Sequence, residues 1–143
     1  MNRYNIEDIH VGMQEEFSVT VTEKMQEDFR SNTGDINPIH HDTEFAEEKG
    51  FKDKLVFGML TASFFSTLVG VYLPGENCLF QECKNIRFHA PVFVGDTLNI
   101  NGEVVEVDER FNRITIKATI RNQIGKKVCS RKINCRCFIK RKD

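Results

Sequence analysis

The sequence has no tryptophan, two tyrosines and three prolines, so its aromatic content rests on 12 phenylalanines. Neither charge is in excess: 20 Lys and Arg face 21 Asp and Glu, for a formal net charge of −1 over 143 residues. Proteins whose main partner is nucleic acid usually carry a basic surplus to meet the phosphates. The balance here argues against that class, while leaving room for a small local basic patch. No apolar run approaches the roughly 20 residues that span a bilayer, so a membrane partner is not expected. Residues Met1 to Val11 are polar and of mixed charge, and do not read as an export signal. The five cysteines are an odd number and form no CxxC pair. That argues against a disulfide framework and against a zinc site; reduced thiols in a cytoplasmic protein are the expectation. Low-complexity stretches, linkers and internal repeats are absent as well.

What is present suits one folded domain covering residues 1–143, with 40% hydrophobic and 29% charged residues. A chain of this length buries roughly 70% of its unfolded surface, enough for a core without disulfides. The sequence divides into three unlike parts. Residues 1–57 are polar, with a short strand expected over Glu16 to Thr22. A helix is expected from about Thr22, a suitable N-cap, to Asn32, and a second from Asp42 or Thr43 to Gly50. Gly58 to Tyr72 is apolar around nearly its whole circumference. It is too short to span a bilayer and is read as a buried central helix, stopped by Pro74-Gly75. From Cys78 to Lys142 the pattern is that of strands. Ile114, Ile116, Ala118 and Ile120 alternate with polar residues, as do Ile133, Cys135, Cys137 and Ile139. Strands with one apolar face need a cover, and the apolar helix is the one segment large enough. The fold class is therefore α+β, an antiparallel sheet curved around one helix.

The densest cluster of polar functional groups is Gly34-Asp35-Ile36-Asn37-Pro38-Ile39-His40-His41-Asp42. A carboxylate and an imidazole five residues apart, on a loop stiffened by Pro38, can share one water and divide acid and base work. The same composition also suits a plain turn, because Gly, Asp, Asn and Pro are the residues turns require. Gly58 opens the apolar helix. A helix N-terminus offers unpaired N–H groups with partial positive charge, and a glycine there lets a ligand oxygen approach closely. Alternatively, Gly58 only permits tight packing at the start of the helix.

Gly34-Asp35-x-Asn37-Pro38-x-His40 with Phe45-Ala46 resembles the signature loop of the (R)-specific enoyl-CoA hydratases, the MaoC-like branch of the hot-dog superfamily. The likeness continues in Gly58-Met59-Leu60-x-Ala62-Ser63-x-Phe65-Ser66 and in Phe88-x-Ala90-Pro91-Val92-Phe93-Val94-Gly95-Asp96-Thr97. The three blocks keep the family's order and spacing over about residues 8–140. The resemblance implies a hot-dog fold and reversible syn hydration of a trans-2-enoyl thioester to the (R)-3-hydroxyacyl thioester, in fatty-acid metabolism. It implies that Asp35 and His40 hold and activate water, that Asn37 orients that water or the loop, and that the Gly58 N–H donates to the thioester oxygen. Ser66 would support Asp35 or the loop, and Phe57, Met59 and Phe65 would meet the acyl group. No metal or cofactor is implied. Partners would be an acyl-CoA or acyl carrier protein thioester and a second copy of the chain, as a homodimer or higher oligomer. Val56-Phe57-Gly58-Met59 departs from the Val-His-Gly-Met usual in the family, since Phe57 has no hydrogen bond to give.

The alternatives are a carrier-protein dehydratase, an acyl thioesterase on the same fold, and a non-catalytic acyl-thioester-binding module. His10, His41 and His89 are assigned no chemistry. Arg131, Lys132, Arg136, Lys140, Arg141 and Lys142 form a basic tail that is able to meet CoA phosphates. They are otherwise read as the solvated outer face of a strand, alternating with the buried set. Phe64 and Phe65 are candidates for an acyl tunnel, or plain core.

Overall fold

Period-two alternation in the second half of the chain is realised as four strands, and the polar first part contributes a fifth. The computed structural model describes residues 1–138. In chain order the elements are β1 (Gln14–Thr20), α1 (Glu23–Thr33), α2 (Thr43–Glu48), α3 (Gly58–Thr67), β2 (Cys78–Phe88), β3 (Thr97–Asp108), β4 (Arg113–Arg121) and β5 (Lys127–Cys137). The strands form one antiparallel sheet in the order β1-β3-β4-β5-β2, which leaves β1 and β2 as the edges. Register shifts interrupt the β2–β5, β3–β4 and β4–β5 ladders. Such bulges increase local twist and bend a sheet, as closure around a helix requires. The arrangement is the expected α+β hot-dog one, a curved antiparallel sheet around α3. Ile139 and the basic residues Lys140, Arg141 and Lys142 lie outside the described residues.

The inward face of the sheet is the one the alternation marks. Leu98 and Ile100 of β3, Ile114, Ile116 and Ile120 of β4, and Ile133 of β5 are fully buried. Against them lie Phe65 of α3 and Leu68 and Val69 of the π-turn Leu68–Tyr72 that extends it. At roughly 25 cal/mol per Å² of apolar surface, burial of this shared layer dominates the stability of the fold.

Three expectations change in detail. The first strand lies two residues earlier than the alternation suggested, because Val21 turns inward as core and Thr22 caps α1 by accepting from the Met25 N–H at 3.2 Å. The helix read as buried on all sides has an open stripe, with Met59, Ser63 and Ser66 exposed. The sheet covers α3 from one side only, and the stripe carries the serines. Finally, Arg131 does not belong to the outer face of β5. It points the same way as Cys129, Ile133 and Cys135 and is buried, whereas Lys132 and Arg136 are exposed.

Candidate active site

The polar loop starts where α1 stops. Gly34 takes the left-handed conformation (φ +70°), and its N–H bonds the Arg30 carbonyl to close the helix. The loop is then tied by bonds between near neighbours. The Asp35 Oδ1 accepts from the Asn37 N–H at 3.1 Å, and the Asn37 Oδ1 accepts from the Ile39 N–H at 3.1 Å. Asn37 thereby caps the 3₁₀ turn Pro38–His40. Of the two tasks the resemblance implies for Asn37, the observed hydrogen bond belongs to shaping the loop.

His40 is the most constrained group on the loop. Its Nδ1 lies 2.9 Å from the Leu55 carbonyl oxygen. A carbonyl can only accept, so Nδ1 carries a hydrogen and the neutral ring has its lone pair at Nε2. One face of the imidazole packs on the Phe57 ring, with centroids 4.1 Å apart, and Phe57 packs in turn on Phe29 at 4.9 Å. The residue that replaces the family's usual histidine is thus an apolar platform under His40.

A group with no place in the sequence reading holds these pieces together. Gln26 of α1 is 1% exposed. Its amide nitrogen donates to the carbonyls of His40 (2.9 Å) and Leu55 (3.0 Å), and its Oε1 accepts from the Phe57 N–H at 3.3 Å. One side chain therefore joins the loop, the segment that orients the imidazole, and the residue before α3. Its signal was present: Gln26 lies beside Met25 and three residues before Phe29, at the edge of the apolar face of α1.

These elements enclose two cavities. The larger, of about 800 Å³, is lined by Asp35 and His40 from the loop, Gly58, Met59 and Ser66 from α3, and Arg131 from β5, among other residues. The smaller, of about 350 Å³, is lined by His40, Gly58, Thr61, His89 and apolar neighbours. His40, Gly58 and Phe88 line both. The approach at Gly58 is close. A Cβ there would lie 3.1 Å from the Phe88 ring, tighter than ordinary van der Waals contact. Phe57, the N-cap of α3, makes no side-chain capping bond, so the first amides of the helix keep their donor capacity beside both cavities.

The structure brings Asp35, His40, Gly58, Ser66, Phe57 and Met59 to one cavity. No hydrogen bond joins Ser66 to Asp35 among the described residues, although both line it. Phe65 corrects its expected place. It is fully buried, lines neither cavity, and lies beneath the Arg131 guanidinium at 4.4 Å, the position of a core residue. His89 sits just past β2, where its Nε2 and the Ser130 Oγ are 2.8 Å apart. The Nδ1 of His41 is buried without a partner. No group of three or more His, Cys, Asp or Glu placed to hold a metal ion is found among the described residues.

A cavity that gathers a carboxylate, an imidazole with a free Nε2 and a helix N-terminus suits addition of water to a polarised double bond. Comparison with known proteins points the same way. An (R)-specific enoyl-CoA hydratase of Aeromonas caviae is 37% identical over 97 residues, covering 68% of this chain and 72% of that one. A 3-hydroxybutyryl-CoA dehydratase of Methylorubrum extorquens is 31% identical over 113 residues, covering 79% and 71%. The solved (R)-hydratase of A. caviae involved in PHA biosynthesis superimposes with a TM-score of 0.87 at 30% identity, over 92% of this chain and 99% of that one. The sequence model described as MaoC like domain matches residues 8–125. That match takes in the polar loop, α3 and strands β1 to β4, and the chain belongs to the MaoC-like domain family.

Proposed function

We propose that the protein is an (R)-specific enoyl-CoA hydratase, a hydro-lyase that adds water reversibly and syn to trans-2-enoyl-CoA to give (R)-3-hydroxyacyl-CoA. The observation that carries this reading is the shared lining of the larger cavity: Asp35, His40 and Gly58 converge on it from two separate segments. The hydratase and dehydratase relatives support the same class.

In this reading the thioester carbonyl accepts from the Gly58 N–H at the start of α3. Addition of water at C3 pushes charge onto that oxygen as an enolate. A preorganised donor there is worth roughly 10²- to 10³-fold in comparable oxyanion sites. Asp35 and His40 hold one water between them. One takes its proton as the oxygen–C3 bond forms, and C2 receives a proton on the same face, so the atoms of one water are all consumed. With Nδ1–H spent on Leu55, Nε2 is the imidazole atom that exchanges the proton. Ser66 contributes polarity to the cavity wall, and Phe57 and Met59 border the acyl group.

The working unit in this reading is a homodimer. β2 is a sheet edge with unpaired backbone, and it exposes Leu79 and Phe88, with Met59 of α3 also exposed. Sedimentation is expected to give twice the chain mass. A cytoplasmic location is part of the same reading, supported by five free thiols. Among the described residues no helix is long and apolar enough to cross a membrane.

The test is hydration of crotonyl-CoA by the purified protein, followed as loss of the conjugated enoyl absorbance, with Asp35→Asn as the blank. Turnover confined to crotonyl-acyl carrier protein would move the assignment to the carrier-protein dehydratase. Release of free CoA thiol would move it to a thioesterase.

A further inference from the structure

Arg131 is a cation without a counter-ion in a mostly apolar cavity. It is 7% exposed and lines the larger cavity with Asp35, His40, Phe80 and Phe88. Its guanidinium stacks over the Phe65 ring at 4.4 Å, and its Nη1 meets the Cys83 Sγ, a weak acceptor. Its Nε is buried with no partner. No carboxylate forms an ion pair with it among the described residues. Glu82, the acidic neighbour on β2, is engaged elsewhere: it accepts from the Asn134 amide at 2.8 Å and lies 3.6 Å from the Lys84 ammonium.

Taking a guanidinium out of water costs several kcal/mol unless an anion meets it, and buried arginines are nearly always paired. A cation–π contact and one thiol leave most of its donor capacity unused. The arginine fork matches a carboxylate bidentately, which gives geometric selection as well as attraction. We propose that Arg131 is a specificity-determining residue that receives a carboxylate at the far end of the acyl chain, so that the preferred substrate is an enoyl-CoA carrying a terminal carboxylate. This rests on the hydratase reading, and it adds a substrate class to it. In such a complex the reacting double bond lies at the loop end of the cavity and the terminal carboxylate lies against β5.

The test uses unreactive saturated thioesters in pairs of equal length: butyryl- and succinyl-CoA, valeryl- and glutaryl-CoA, hexanoyl- and adipoyl-CoA. Each is titrated calorimetrically into the wild type, Arg131→Met and Arg131→Lys, with melting temperatures recorded. At one of these lengths the wild type is expected to bind the carboxylated ester at least about tenfold more tightly than its plain partner. Arg131→Met should abolish or reverse that preference, and Arg131→Lys should keep part of it. Equal affinity at every length in the wild type overturns the proposal whatever the variants do, and so does a preference that survives in Arg131→Met or no binding of any ester. Because these ligands do not react, a protein that prefers the carboxylated ester yet hydrates no enoyl thioester would overturn the hydratase reading alone. One that hydrates crotonyl-CoA but shows no such preference would overturn this inference alone.

Discussion

Two walls of the larger cavity differ in how they are made. The loop wall comes from one stretch of chain, residues 34–42, in which Asp35 and Asn37 each accept from a backbone N–H two residues on. The sheet wall pairs groups 48 residues apart, with Cys83 on β2 beside Arg131 on β5. On the loop, short-range bonds orient Asp35 and Asn37, while the Leu55 carbonyl and the Phe57 ring orient His40, so a carboxylate and an imidazole are positioned before any ligand arrives. On the sheet, the pleat and the register fix orientation. There a charged residue has been placed in a row otherwise occupied by Cys129, Ile133 and Cys135. In the proposed function, chemistry concentrates on the first wall, and the choice of substrate falls to the second.

The largest test of this contrast removes the reacting groups of the loop. Asp35→Asn and His40→Ala are each expected to lower kcat by roughly 10²- to 10⁴-fold. Asp35 is exposed, so Asp35→Asn should leave the melting temperature little changed, whereas His40→Ala also removes the ring packed on Phe57 and should lower it. Steady-state rates beside thermal scans would show whether the loss is chemical. A smaller effect is expected at Gln26, which joins the loop to the start of α3. Gln26→Leu strands the His40 carbonyl and the Phe57 N–H, and leaves the Leu55 carbonyl with His40 Nδ1 as its remaining side-chain partner. Leaving such groups unpaired costs about 1–3 kcal/mol, readable as a lower denaturant midpoint. If Gln26 also positions His40, kcat should fall about tenfold with KM nearly unchanged, an outcome that a purely structural role would not give.

Gly58 and Phe88 set the contact between the walls. Gly58→Ala places a methyl 3.1 Å from the Phe88 ring and should reduce kcat/KM several-fold. Phe88→Ala in the same chain should recover part of that loss, and a double-mutant cycle would measure the coupling. The smallest effect concerns the sheet alone. Burial pushes the Cys129 and Cys137 thiols up to about 11 each. Their folded values lie above those of an unfolded thiol, so the folded state holds protons that the unfolded chain has lost between about pH 9 and pH 11. Stability from these thiols is fully present near neutrality and falls as pH rises through that window. Denaturant midpoints near pH 8 and near pH 10 should show the decline, and Cys129→Ala should make it shallower.

The same contrast explains what could be read from sequence. Asp35, Asn37, Pro38 and His40 form a compact motif because one short loop carries them and Asp35 and Asn37 shape it through bonds to near neighbours, and the apolar run from Gly58 marks the helix they face. The strands of β4 and β5 were legible because pleating repeats every two residues. By its charge Arg131 reads with Lys132 and Arg136 as outer face or as a phosphate contact, although it is in phase with the inward set that includes Ile133 and Cys135. Its charge outweighed its position, because a buried arginine is the rarer case. Phe65 reads from sequence as acyl-group contact or as plain core, because apolar residues on a helix do not reveal which face meets a cavity and which meets a sheet. Gln26 carries no sequence signature of its role, because its three partners come from segments 14 to 31 residues away. No local pattern records such a bridge.

The central claim is that Asp35 and His40 work on one water at one face of the double bond. Hydration of crotonyl-CoA in deuterium oxide measures this directly, because the new C2 and C3 bonds record the faces attacked. The account predicts one product, (R) at C3, with deuterium at C2 delivered to the same face as the hydroxyl, and loss of that product in Asp35→Asn and His40→Ala alike. An (S) product, a mixture of C2 epimers formed by the enzyme, or full activity in either variant would contradict it.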